Sequence, residues 1–265
     1  MKLKVIKDTV FKQSSVQAID LPESQKVAVG AGRVFELNSY KDIGSHIRLA
    51  LEKTFFKGRN TWVAYQEHIE IIGDEGIKRI GKFSPNDKLP KQVRLPVPYF
   101  SQLNNRYKPE GTCNVTSVAM CLYYYGIRPA RRNKQLEDEL FQLVDRNGWD
   151  RHVHDHLRRV FLEYDMYDVF KMDATWNEVK AHLANGNPVI YPGRLTGGGH
   201  IIVLRGYDDT GFFVNDPYGE YFDSGYQTDM TGENLHYSYN LVKSKSYGEG
   251  GTTWAHFPEK KRSEF

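Results

Sequence analysis

The stretch Gly111-Thr112-Cys113-Asn114-Val115-Thr116-Ser117-Val118-Ala119-Met120-Cys121-Leu122 runs from a glycine into an apolar segment whose first residue is a cysteine. Val115, Val118, Ala119 and Leu122 fall on one face at helical spacing, and Gly126 suits a left-handed stop, so the pattern predicts a buried helix from Cys113 to Tyr125. Cys113 then sits at a helix amino terminus. A helix dipole and a neighbouring imidazole both lower a thiol pKa, and the thiolate is the nucleophile. The imidazole candidate lies downstream in Gly198-Gly199-His200-Ile201-Ile202, where a histidine opens a β-rich run. Asp208-Asp209-Thr210-Gly211 is turn chemistry and Phe212 to Asn215 a returning strand, so a hairpin brings Asp216 back toward His200. A carboxylate there can hold the histidine in one tautomer.

Acyl transfer by a thiol also needs donors for the oxyanion. The Cys113 backbone N–H is one candidate, and the side-chain amide of Gln102, in Val97-Pro98-Tyr99-Phe100-Ser101-Gln102, is a second. Gly197, Gly198 and Gly199 allow a substrate backbone to approach His200 closely. Cys121 is read as a small buried hydrophobe. On one helix the two cysteines stand roughly 12 Å apart, too far for a disulfide. His152, His154 and His156 alternate with Val153 and Asp155, which reads as a solvated helix face, and no metal or other cofactor is expected. Trp149, Tyr191, Tyr218 and Trp254 read as core or cleft-wall aromatics, and His256 as an ordinary strand residue.

Working outward, Gln135 to Val144 and His152 to Tyr164 are further helical candidates. Thr175-Trp176-Asn177-Glu178 is a capping box that starts a fourth helix, which Gly186 and Pro188 stop before the apolar Val189-Ile190-Tyr191. Helices followed by an antiparallel sheet indicate an α+β domain over 95–265. Before it, alternating stretches at Lys26 to Val29, Val34 to Leu37, His46 to Leu51, Trp62 to Tyr65 and His68 to Ile72 predict a small all-β barrel over 1–80. Residues 81–94, rich in turn formers and charge, read as a linker.

These residues resemble the papain-like cysteine peptidases, most closely the branch related to bacteriocin-processing, double-glycine-leader peptidases. The resemblance rests on Val97 to Gln102, on Cys113 with Thr116, Ser117, Ala119 and Met120 behind it, on Gly199-His200, and on Val214-Asn215-Asp216-Pro217-Tyr218-Gly219. It covers roughly Leu95 to Pro258. It implies Cys113 as nucleophile, His200 as acid/base, Asp216 as the orienting group and Gln102 as oxyanion donor, with Asn104 or Asn105 as alternatives to Gln102. Asn114 stands where many relatives carry glycine, and with Gly199 it is expected to line the substrate. The amino-terminal segment is similar to bacterial Src-homology-3-like modules, a match carried by its strand pattern and Trp62.

The net charge of +3 divides unevenly. Residues 1–94 hold 17 Lys and Arg against 11 Asp and Glu, and residues 95–265 hold 19 against 22, giving +6 and −3. A basic small domain on a slightly acidic larger one fits attraction to an anionic polymer through residues 1–80. No basic cluster interleaved with aromatics points to nucleic acid, and no apolar run points to a membrane. The start lacks a secretory signal, so cytoplasmic synthesis is expected, and the absence of spans and of a Gly-rich nucleotide loop argues against a transporter-linked form. The reading that results is a monomeric hydrolase acting on the peptide part of bacterial peptidoglycan, in the manner of a lysis enzyme. A general peptide-processing peptidase and a non-catalytic wall-binding protein are its rivals.

Overall fold

The computed structural model describes residues 1–260 apart from 44, 74–75, 80–82, 84 and 87. Two compact units divide the chain, Met1–Phe83 and Ser84–Lys261.

The first unit contains β1 (Lys2–Val5), β2 (Thr9–Lys12), β3 (Lys26–Val29), β4 (Val34–Ile43), β5 (His46–Leu51), β6 (Thr61–Tyr65), β7 (Ile69–Gly73) and β8 (Gly76–Arg79). They form an antiparallel sheet in the order β3-β2-β6-β5-β4-β1-β7-β8. Period-two alternation sorts its faces: Leu3 and Val5, Ile47, Leu49 and Leu51, and Ile69 and Ile71 are buried around Trp62 and Phe11. The Trp62 indole finds its partner in the Arg59 carbonyl at 3.0 Å. The expected closed barrel is not formed, because among the described residues the sheet is open, ending at β3 and β8. Alternation reports that one face is buried, a property that open sheets and barrels share. Closure depends on pairing at the edges, which alternation does not encode.

The second unit contains β9 (Val93–Arg94), α1 (Cys113–Tyr124), α2 (Leu136–Arg146), α3 (His154–Glu163), β10 (Met166–Tyr167), β11 (Phe170–Ala174), α4 (Trp176–Ala184), β12 (Val189–Gly193), β13 (His200–Tyr207), β14 (Gly211–Asn215), β15 (Glu220–Phe222), β16 (Gly225–Gln227), β17 (Leu235–Ser238), α5 (Tyr239–Ser244), β18 (Thr253–His256) and β19 (Glu259–Lys260). The main sheet is antiparallel in the order β11-β18-β12-β13-β14-β17, with β9 also on β13. So the segment expected as a linker ends inside this sheet, through Gly206↔Arg94 and Tyr207↔Val93. Parts of that segment lie outside the described residues.

Helix α1 is the centre of the core. Every residue from Asn114 to Leu122 is buried, and the helix packs on β13, α2 and α3. Each large apolar side chain removed from water there contributes about 1.5–3 kcal/mol before entropy. Its end is a Schellman arrangement, with Ile127 N–H on the Leu122 carbonyl, Gly126 N–H on the Tyr123 carbonyl and Gly126 at φ +100°. The Thr175 capping box is present in full and opens α4. Among the described residues, no helix is long and apolar enough to cross a membrane.

Candidate active site

Three structural features converge on one point. The buried helix α1 delivers Cys113 at its first turn, β13 delivers His200 as its first residue, and Asp216 follows β14 directly. The hairpin register Val203↔Asn215 brings Asp216 back beside the start of β13. Ser117, one turn after Cys113 on the same helix face, donates its hydroxyl to the Ile201 carbonyl at 3.1 Å. That bond fixes the head of α1 against the strand carrying His200.

The geometry is that of a triad. His200 Nε2 lies 2.7 Å from Asp216 Oδ1, with both side chains buried. The Cys113 sulfur and the His200 ring interact, and with Nε2 on Asp216 the other ring nitrogen, Nδ1, is the one left to meet the sulfur. Burial pushes the Cys113 thiol up, but the His200 charge, the His200 hydrogen bond and the Ile201 backbone N–H outweigh it and the thiol sits below its ordinary range. Burial also opposes charge on His200. The Asp216 carboxylate and the Cys113 sulfur override that and hold the imidazole well above its usual range.

Asp216 is completely buried and accepts four hydrogen bonds. His200 and the Tyr218 N–H, at 3.0 Å, share Oδ1. The hydroxyls of Tyr226 at 2.9 Å and Tyr237 at 3.1 Å donate to Oδ2. Burial, then the adjacent Asp216 charge, holds both phenols far above the normal tyrosine range, so they remain donors. Neither tyrosine was legible in the sequence, since they come from β16 and β17, and only the folded sheet brings them to the carboxylate.

A cleft of about 460 Å³ opens over the sulfur. Gln102, Asn114, Gly199 and His200 line it with Cys113, whereas Asp216 is buried behind them and Asn104 and Asn105 do not line it. Gly199 adopts φ +84°, and a Cβ there would meet the Tyr247 hydroxyl at 2.4 Å, so only glycine fits. The three amides considered as oxyanion donors have different surroundings. Asn105 is buried and donates to Thr112 Oγ1 and Thr116 Oγ1, both at 2.9 Å. Asn104 lines a separate pocket beside Tyr99 and Tyr123. Gln102 spends one N–H on the Pro109 carbonyl at 2.8 Å and has a second to offer. Thr112 precedes Cys113 without capping the helix through its side chain, while Asn114 Oδ1 accepts from the first-turn Val115 N–H at 2.9 Å.

Of the histidines read as a solvated face, His152 is exposed and His154 is placed differently. α3 begins at His154, so His152 precedes the helix, and both line the cleft. His154 Nδ1 lies 2.9 Å from His256 Nε2, and His256 Nδ1 lies 2.6 Å from Asp168 Oδ2. His256 is buried. A motif of alternating histidines carries no information about a strand partner about a hundred residues away, which is why the local reading failed.

A family model described as the Peptidase_C39 like family matches residues 94–247. The chain belongs to that family, a family of peptidase-like proteins. The match begins at 94, so it does not reach the segment likened to Src-homology-3 modules. Several solved structures are similar, among them the following two. One is a double glycine motif protease from an AMS/PCAT transporter in complex with the leader peptide, at 15% identity and TM-score 0.42, covering 64% of this chain and 95% of that one. The other is described as a C39-like peptidase from Bacillus anthracis, at 18% identity and TM-score 0.44, covering 66% and 100%. No curated protein matches the chain.

Proposed function

We propose that this chain is a cysteine peptidase acting on the peptide part of bacterial peptidoglycan. The observation that carries the reaction is the buried Asp216–His200 pair, 2.7 Å apart, whose imidazole lines one cleft with a sulfur at the head of a buried helix. Thiolate Cys113 adds to a peptide carbonyl carbon, and the oxyanion takes hydrogen bonds from the Cys113 backbone N–H and the Gln102 amide. The C–N bond then breaks, His200 giving its proton to the departing amine and leaving a thioester on Cys113. Water attacks the thioester while His200 takes its proton, and the acid product leaves with the thiolate restored. Asp216 keeps the ring oriented throughout, itself held by Tyr226 and Tyr237.

The wall substrate is supported by the charge division, +6 over residues 1–94 against −3 over the rest, which would concentrate the enzyme on an anionic polymer. Incubating purified sacculi with wild type and with Cys113→Ala, followed by mass spectrometry of released fragments, tests it. Fragments that depend on Cys113 are expected. Intact sacculi together with cleavage of reduced casein would assign a general peptidase instead, and undiminished wall binding with no turnover of either material would assign a binding protein.

A further inference from the structure

The cleft that holds Cys113 is also lined by a second histidine system. Asp168 is buried, its Oδ2 bonded to His256 and its Oδ1 without a partner. A carboxylate only accepts, so His256 Nδ1 carries the N–H of this contact. His256 Nε2 faces His154 Nδ1 at 2.9 Å, so one proton serves those two nitrogens. With Nδ1 committed to His256, Nε2 is the His154 nitrogen left for another partner. Burial, then the charge on His256, pushes His154 down to about 4, so the ring stays neutral. Its plane is fixed as well: Phe170 stacks on it at 4.1 Å and 7°, and Trp254 meets it edge-on at 5.4 Å. These contacts hold the His154 ring in the lining of the cleft with one nitrogen uncommitted. The family match ends at residue 247, before Trp254 and His256.

We propose that His154 is a substrate-binding residue of the Cys113 cleft, its Nε2–H donating to a backbone carbonyl of the bound peptide, with His256 and Asp168 as positioning residues that act through it. The proposal rests on the peptidase reading, and its test separates the two. Full-length wild type, His154→Phe, His154→Gln and Asp168→Asn are labelled at Cys113 with iodoacetamide in the presence of acetyl-glycyl-glycine aldehyde, a small peptide that adds reversibly to a catalytic thiol. A parallel nitrogen-15 spectrum of histidine-labelled protein reads the His154 tautomer, the signal being identified by its absence in His154→Phe.

Losing one hydrogen bond should raise the half-protecting aldehyde concentration about 3–10-fold in His154→Phe, with Asp168→Asn similar and His154→Gln, which retains an N–H, within about twofold of wild type. Labelling without aldehyde should be equal in all four, and the spectrum should show Nε2 protonated. Equal protection of wild type and His154→Phe, or an unprotonated Nε2, overturns the proposal. Should Asp168→Asn fail to fold, His154→Phe, whose half-buried ring keeps its stack on Phe170, decides alone. An aldehyde that leaves the wild type itself unprotected removes the peptidase reading, and this proposal falls with it by a different result.

Discussion

At the scale of single residues, Cys113 and His200 titrate as a pair, and their opposite displacements define the window in which the proposed peptidase would work. The thiol lies low and the imidazole high, so between them the thiolate–imidazolium form prevails. Falling pH protonates the sulfur and rising pH strips the proton that the leaving amine needs, so turnover should be bell-shaped. Iodoacetamide labelling, which reads thiolate alone, should rise through a midpoint below the free-cysteine value of about 8.5. In His200→Ala burial remains and the cation is gone, so that midpoint should move above it. A midpoint unchanged by His200→Ala would show that the imidazole does not hold the sulfur ionised. Asp216 gives a second prediction. Tyr226→Phe or Tyr237→Phe removes one donor from a buried carboxylate and should cost about 1.5–3 kcal/mol in urea unfolding. The double variant leaves Oδ2 bare and should cost more than the sum, whereas additivity would mean that the oxygen finds another donor.

At the scale of elements, glycines mark where backbone packing sets the site. Gly232 lies so close to Asp216 that a Cβ would meet its carbonyl oxygen at 1.8 Å, and the Asp216 N–H donates to the Gly232 carbonyl at 2.8 Å. Gly232→Ala must therefore push Asp216 away from His200 and should damage turnover along with stability. Gly126→Ala meets no atom within 4 Å and is strained only by φ +100°, so it should lower stability by about 1 kcal/mol and leave the labelling profile of Cys113 intact. If both variants changed activity in proportion to stability alone, the Gly232 contact would have no special bearing on the triad. The contrast also explains what the sequence could convey. Gly126, the Thr175 capping box and the run His200–Tyr207 act through neighbours in the chain, so each was readable locally and β13 has the bounds expected. Cys113, His200 and Asp216 were readable because each sits at the end of an element with its own pattern. Tyr226, Tyr237, the Ser117–Ile201 bond and the His154–His256 link depend on which strand lies beside which, and no local period encodes that. β1 and β2 went unassigned, although β3, equally short, was read from its alternation.

At the scale of the whole molecule, two hydrophobic cores serve separate tasks, one built around Trp62 and Phe11 in the open sheet, the other around α1 beneath the cleft. Charge is unevenly spread as well, with +6 on residues 1–94. If that charge brings the protein to an anionic wall, the attraction is Coulombic and must weaken as salt shortens its range, from about 30 Å at about 0.01 M to about 8 Å at about 0.15 M. Catalytically silent Cys113→Ala should therefore co-sediment with sacculi several-fold less at the higher ionic strength. Reversing two exposed lysines, Lys7→Glu with Lys41→Glu, takes the segment from +6 to +2 and should reproduce much of that loss at low salt. Neither change reaches the sulfur, so labelling of Cys113 by neutral iodoacetamide in the otherwise wild-type chain should be the same under every condition. Sedimentation indifferent to both salt and charge reversal would show that the first unit meets the wall, if it does, through contacts that are not electrostatic.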